Sequence, residues 1–160
     1  MAQAANDNVR IVFDDKKVRQ MLSVAPERVA QTVHSLLEKV GIMGMSEMRQ
    51  QTDVGVTGDL RRGEHYFFSG GAEVTIEPTA NYAEDVEKGT VPHWVSVAQG
   101  TPLYRWAMQK GINPYAVQKS IAKKGTKAHP FLQTTFDIIE PKANRTFNDG
   151  IDELIGQLNG

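Results

Sequence analysis

The residue types that carry chemistry are few in this chain and they are scattered. There is no Cys, which excludes thiol nucleophiles, thiolate zinc sites and disulfide scaffolds. His34, His65, His93 and His129 fall on separate predicted elements, and no two have the HxxxH or HExxH spacing that sets a metal between helix turns. His34 beside Val33 reads as a boundary or surface residue. His93, between Pro92 and Trp94, and His129, before Pro130, read as loop residues holding local hydrogen bonds. A serine nucleophile needs a base and an orienting acid, and no Ser here sits in a recognisable elbow. Gly70-Gly71 and Gly125-Thr126-Lys127 lack the frame in which backbone amides cradle phosphate. The residues therefore indicate no catalytic, cofactor-binding or metal site.

Two groups deserve weighing. Glu84, Asp85 and Glu87 could act as a general acid and base. On a short helix 84 and 87 share a face and 85 points elsewhere, so a solvated face accounts for them as well. Lys123 and Lys124 with Lys127 could grip phosphate while Tyr104, Trp106 and Tyr115 stack bases. At helical spacing such aromatics are more often core or interface anchors.

Charge is unevenly placed. Residues 53–90 carry eight acids and three bases, and residues 91–136 carry six bases and no acid, within a chain of net charge -1. The plain reading is internal neutralisation or two solvated faces. A second is a polar molecule with complementary faces, which can stack head to tail and close into a ring. A third sends the basic stretch to phosphate. The near-neutral total argues against a globally basic nucleic-acid binder and against an acidic disordered chain.

The elements that position these residues follow from length and pattern. The chain has 160 residues, 40% of them hydrophobic and 23% charged, which suits one globular domain over residues 1–160. Its apolar runs fall short of a membrane span. Residues 1–8 lack a basic stretch followed by an apolar one, and they read as a loose arm, not a signal peptide. A cytoplasmic, soluble protein is expected.

Val9 to Phe13 reads as a strand and Lys16 to Leu22 as a short helix. Ser23 to Pro26 opens a long helix to about Gln51, with Pro26 in its first turn and Val29, Val33, Leu36, Leu37, Val40, Gly44 and Met48 along one stripe. Gly41 and Gly44 leave room for another backbone to pack closely. Thr52 to Arg62 reads as a loop ending in a short helix. Glu64 to Ser69 and Ala72 to Glu77 read as a hairpin around Ser69-Gly70-Gly71. Asn81 to Lys88 is a short helix stopped by Gly89. Thr101 to Lys110 and Pro114 to Lys124 are two more, each with a start signal and a stop glycine. His129-Pro130 opens a last helical region that Pro141 should kink or interrupt. The fold class is α+β: a small antiparallel sheet packed against a long N-terminal helix and a C-terminal helix, with a helical insertion over 91–127.

Three boxes in order carry a resemblance. The first is Gly55-Val56-Thr57-Gly58-Asp59-Leu60-Arg61-Arg62, a TGxLRxS-like turn with Gly63 in the Ser position. The second is Asn81-Tyr82-Ala83-Glu84-Asp85-Val86-Glu87-Lys88-Gly89-Thr90, a YAxxVExGT box. The third is Ala128-His129-Pro130-Phe131-Leu132-Gln133-Thr134-Thr135-Phe136, an AxPFLxxAF box. Together, over residues 26–158, they resemble the small tail-completion or neck proteins of long-tailed bacteriophages. Lys119 to Phe131, preceded by Arg105-Trp106-Ala107, resembles a longer variant with a helical insertion.

The resemblance implies structural work without catalysis or cofactor. It implies a homo-oligomeric ring, six copies ahead of twelve, around a DNA channel in the virion neck, assembled in the bacterial host cytoplasm. The implied partners are head-closure, tail-terminator or tail-tube proteins, with packaged DNA nearby and no membrane. Glu84, Asp85, Glu87, Trp106, Lys119, Lys123, Lys124 and Lys127 are the expected inter-subunit or channel contacts. The alternative is a nucleic-acid-binding module using the basic 105–127 segment.

Overall fold

A computed structural model describes residues 3–5, 8–12, 16, 18–19, 23, 25–53, 55 and 58–159. Strands β1 (Gln3–Ala5) and β2 (Asn8–Val12) precede the long helix α1 (Pro26–Gln51) and the single turn α2 (Asp59–Arg62). The hairpin β3 (Glu64–Phe68) and β4 (Glu73–Pro78) follows. Then come α3 (Ala83–Lys88), α4 (Pro102–Gln109), α5 (Pro114–Lys124) and the final helix α6 (Phe131–Asn159). The sheet is antiparallel, in the order β1-β2-β4-β3. The fold is α+β, a small antiparallel sheet against a long N-terminal and a long C-terminal helix, with a helical insertion between α3 and α6.

The stripe expected on α1 is the face it buries: Val29, Val33, Leu36, Leu37, Val40, Gly44 and Met48 are all buried. Helix α6 lies antiparallel against it, since Arg28 reaches Gln157 at one end and Lys142 reaches Glu47 nearer the other. Phe131, Phe136, Ile139, Phe147, Ile151 and Leu154 meet the α1 stripe, and Val74 and Ile76 of β4 close the core from the sheet. Burying a side chain of this size is worth about 1.5–3 kcal/mol, so this stripe-on-stripe contact outweighs the helix propensities along it.

Four details differ from, or go beyond, the sequence reading. Gly41 and Gly44 admit side chains and not a backbone: a Cβ on Gly41 would run into the Tyr66 ring, and one on Gly44 into Ile76 Cδ1. Pro141 does not end the last helix, which runs unbroken from Phe131 to Asn159. A proline inside a helix costs about 3 kcal/mol. Pro141 points to solvent while Ile139 and Ala143 on either side of it are fully buried, so the core contact is continuous past the proline. Within the stretch read as an arm, Gln3–Ala5 pair with Asn8–Arg10; the other residues of 1–7 lie outside the described ones. So do most of the helix read over Lys16 to Leu22 and the Phe13 end of the first strand.

Candidate interface: a clasp, a lobe and a groove

The second and third boxes close on each other. Helix α6 begins with amide groups that have no partner inside the helix. Glu87 supplies one: its Oε2 accepts from the Leu132 amide at 2.8 Å and its Oε1 from the Gln133 amide at 3.1 Å. The carboxylate also sits at the positive end of the α6 dipole. Beside it the His129 amide donates to the Val86 carbonyl at 2.8 Å, and the His129 ring nitrogen Nε2 pairs with the Gln51 carbonyl, at the end of α1, at 2.9 Å. Thr90 and Thr126 form an antiparallel bridge, with backbone bonds of 3.3 and 3.2 Å and their hydroxyls 3.0 Å apart.

Two glycines make this clasp sterically feasible. Gly89 and Gly125 have φ of 71° and 72°, a region that glycine enters without cost. A Cβ on Gly89 would lie 2.6 Å from the Thr126 carbonyl oxygen, and one on Gly125 would collide with that of Thr90.

The clasp closes the base of residues 91–125, which form a small lobe. Helices α4 and α5 pack on each other there, around a fully buried Ala107 and a buried Gln118 whose amide donates to the Val95 carbonyl at 2.7 Å. Thr101 caps α4 and Asn113 caps α5, each accepting a first-turn amide, as their sequence signals indicate. The lobe is too thin to hide its apolar residues. Trp94 is 73% exposed and Tyr115 is 67% exposed, and Met108 and Ile112 also face solvent.

Between lobe and body lies a mostly apolar cavity of about 570 Å³. The body contributes Leu60, Tyr82 and Val86, and the lobe contributes Val95, Leu103 and Trp106. Asp53 and Asp59 stand at its edge, the latter 2.6 Å from Arg62. The first and second boxes therefore share this groove, and the third holds its base.

The expected contact residues sort into three environments. Lys119, Lys123, Lys124 and Lys127 are exposed along α5 and just beyond it, and Asp85 is exposed on α3. Glu84 is exposed and holds Lys88 at 2.6 Å. Glu87 differs from these two: its carboxylate oxygens are taken up by the first amides of α6 within the same chain. Trp106 lines the groove, half-buried, instead of standing out from the surface.

One polar cluster escaped the sequence reading. The Glu64 side chain is wholly buried at the start of β3. Its Oε1 is hydrogen-bonded to the Thr52 hydroxyl, and its Oε2 has no hydrogen-bond partner, with Arg49 Nε 3.9 Å away. Burial pushes the Glu64 carboxyl above the ordinary carboxylate range, partly opposed by the Thr52 bond and by Arg49 and Arg61. Nothing in the sequence separates Glu64 from the other acids of 53–90, because its burial comes from α1 lying across the hairpin. Among the described residues no three His, Asp or Glu side chains are grouped to hold a metal ion, and no helix is long and apolar enough to cross a membrane. Comparison with protein-family models, with curated proteins and with solved structures finds no match to this chain.

Proposed function

We propose that this protein is a structural ring subunit of a bacteriophage neck, completing the tail or joining it to the head around the DNA channel. The observation that carries the reading is the convergence of the three boxes. Segments far apart in the chain meet as groove wall, cap and clasp, and each quoted box has a folding or contact task. The residues Glu84, Asp85, Lys119, Lys123, Lys124 and Lys127 are then available to neighbouring subunits, on surfaces of opposite sign. The reading assigns no catalysis and no cofactor, a ring of six copies ahead of twelve, and contact with head-closure, tail-terminator or tail-tube proteins.

Deleting the gene from the phage or prophage genome that carries it tests the reading. Electron microscopy of the lysate should show heads and tails unjoined, or tails left incomplete. Intact, infectious particles from the deletion would overturn it.

A second reading draws on the exposed Trp94 and Tyr115 beside an uncompensated row of lysines. Aromatic faces with cations form a binding surface for single-stranded nucleic acid. Affinity for labelled DNA that falls steeply and linearly in log–log form with salt would favour it over the ring.

A further inference from the structure

Helix α5 carries an aromatic side chain that is largely exposed. Tyr115 is 67% exposed, and Lys119 and Lys123 follow it at four-residue steps, so ring and ammonium groups share one face. The groove between lobe and body has the reverse character. Its walls are mostly apolar; the carboxylates that line it are Asp53 and Asp59, the latter held by Arg62, and the α3 helix that supplies Val86 also carries the exposed Asp85. One surface presents an aromatic anchor with cations, and the other an apolar slot with anions.

We propose that the groove is the docking site for α5 of a second copy of this chain, with Tyr115 seated against Leu60, Val86 and Trp106. The proposal deepens the ring reading and rests on it. About 570 Å³ admits a tyrosine ring with the stems of its neighbours and not a whole helix. The lysines therefore stay at the rim, near Asp53 and Asp85, where they set orientation and partner choice more than affinity. The contact is heterologous: the copy that donates α5 keeps its own groove open for a third. One buried anchor falls short of the roughly 1,200 Å² that a stable pairwise interface covers, so two free copies associate weakly and closure of the ring supplies the rest.

A weak, oriented contact is best read by cross-linking, and a chain without cysteine makes single-cysteine variants unambiguous. Ala116→Cys stands beside Tyr115, Asn81→Cys stands beside Tyr82, and Gln31→Cys on α1 is a control; all three positions are exposed. Equimolar mixtures are mildly oxidised and the mixed disulfide is followed by gel and mass spectrometry. The 116–81 pair should form at least about tenfold faster than the 116–31 pair. Adding Lys119→Glu and Lys123→Glu to the Ala116→Cys chain should abolish that preference, and Asp53→Lys with Asp85→Lys on the Asn81→Cys chain should restore it.

Equal rates for the two pairs would overturn the docking site. A preference indifferent to both sets of charge changes would overturn the charge complementarity on which it stands. Electron microscopy of the wild-type chain at high concentration separates the two levels. Rings without the 116–81 preference leave the ring reading standing and remove this contact. The preference without rings supports the contact and counts against a closed ring.

Discussion

Glu87 Oε2 lies 2.8 Å from the amide of Leu132, 45 residues further along the chain. A carboxylate on a six-residue helix thus caps a 29-residue one. Local N-caps use a side chain next to the helix they start. This cap instead ties the base of the lobe to the first turn of α6, so losing it affects the position of the lobe and the stability of the core helix together.

Glu87→Ala should lower stability by about 1–2 kcal/mol, the range for a lost charged cap. Glu87→Gln, which keeps one acceptor but no charge, should cost less. Urea unfolding of the two variants and wild type checks this. Equal midpoints for all three would mean that the α6 amides find other partners.

Gly125→Ala should destabilise more than an exposed glycine usually would, because it combines a φ of 72° with a collision against the Thr90 carbonyl. We expect a loss above about 1 kcal/mol. Amide exchange should quicken at Thr90 and Thr126 and across 91–125, while α1 stays protected. Uniform loss of protection would show that lobe and body open as one unit.

Stability should depend on pH through Glu64. Its carboxyl is raised above the ordinary 4.5 by burial, so the folded state holds its proton more tightly than the unfolded chain does. The stabilisation is complete below the unfolded-state value and is lost as pH rises through the folded one. Glu64→Gln removes this titration. Wild type and variant should therefore be closest in stability at low pH and diverge, with the variant gaining, as pH rises to 7. Denaturant midpoints at a series of pH values give the comparison. Parallel curves would mean that Arg49 and Thr52 keep the carboxylate ionised at no net cost.

Phe131→Ala should cost about 3–5 kcal/mol if the cavity does not collapse, since the ring is 1% exposed between α1 and the start of α6. Tyr115→Ala, on an exposed lobe surface, should leave stability within about 0.5 kcal/mol of wild type. Thermal unfolding of the two separates a core box from a contact surface.

Much of the fold was legible in order of sequence. The α1 stripe, the Ser69-Gly70-Gly71 hairpin, the Thr101 and Asn113 starts and the Gly89, Gly111 and Gly125 stops all act through residues no more than about four apart. Such signals survive in any tertiary arrangement, which is why the helices and strands fall where the pattern puts them. The apolar stripes also required a partner face, so helix-on-helix and helix-on-sheet layers followed from burial alone. Which of several like residues does which task was decided only by docking. Glu84, Asp85 and Glu87 are three acids on one short helix, and only Glu87 meets the α6 amides. Glu64 is one acid among eight in its stretch, and it is buried because α1 crosses the hairpin above it. Trp106 faces the groove because the Thr90–Thr126 bridge folds the lobe back over α2 and α3. Contacts between segments some 36 to 45 residues apart depend on where whole elements come to rest, and periodicity within an element carries no record of that.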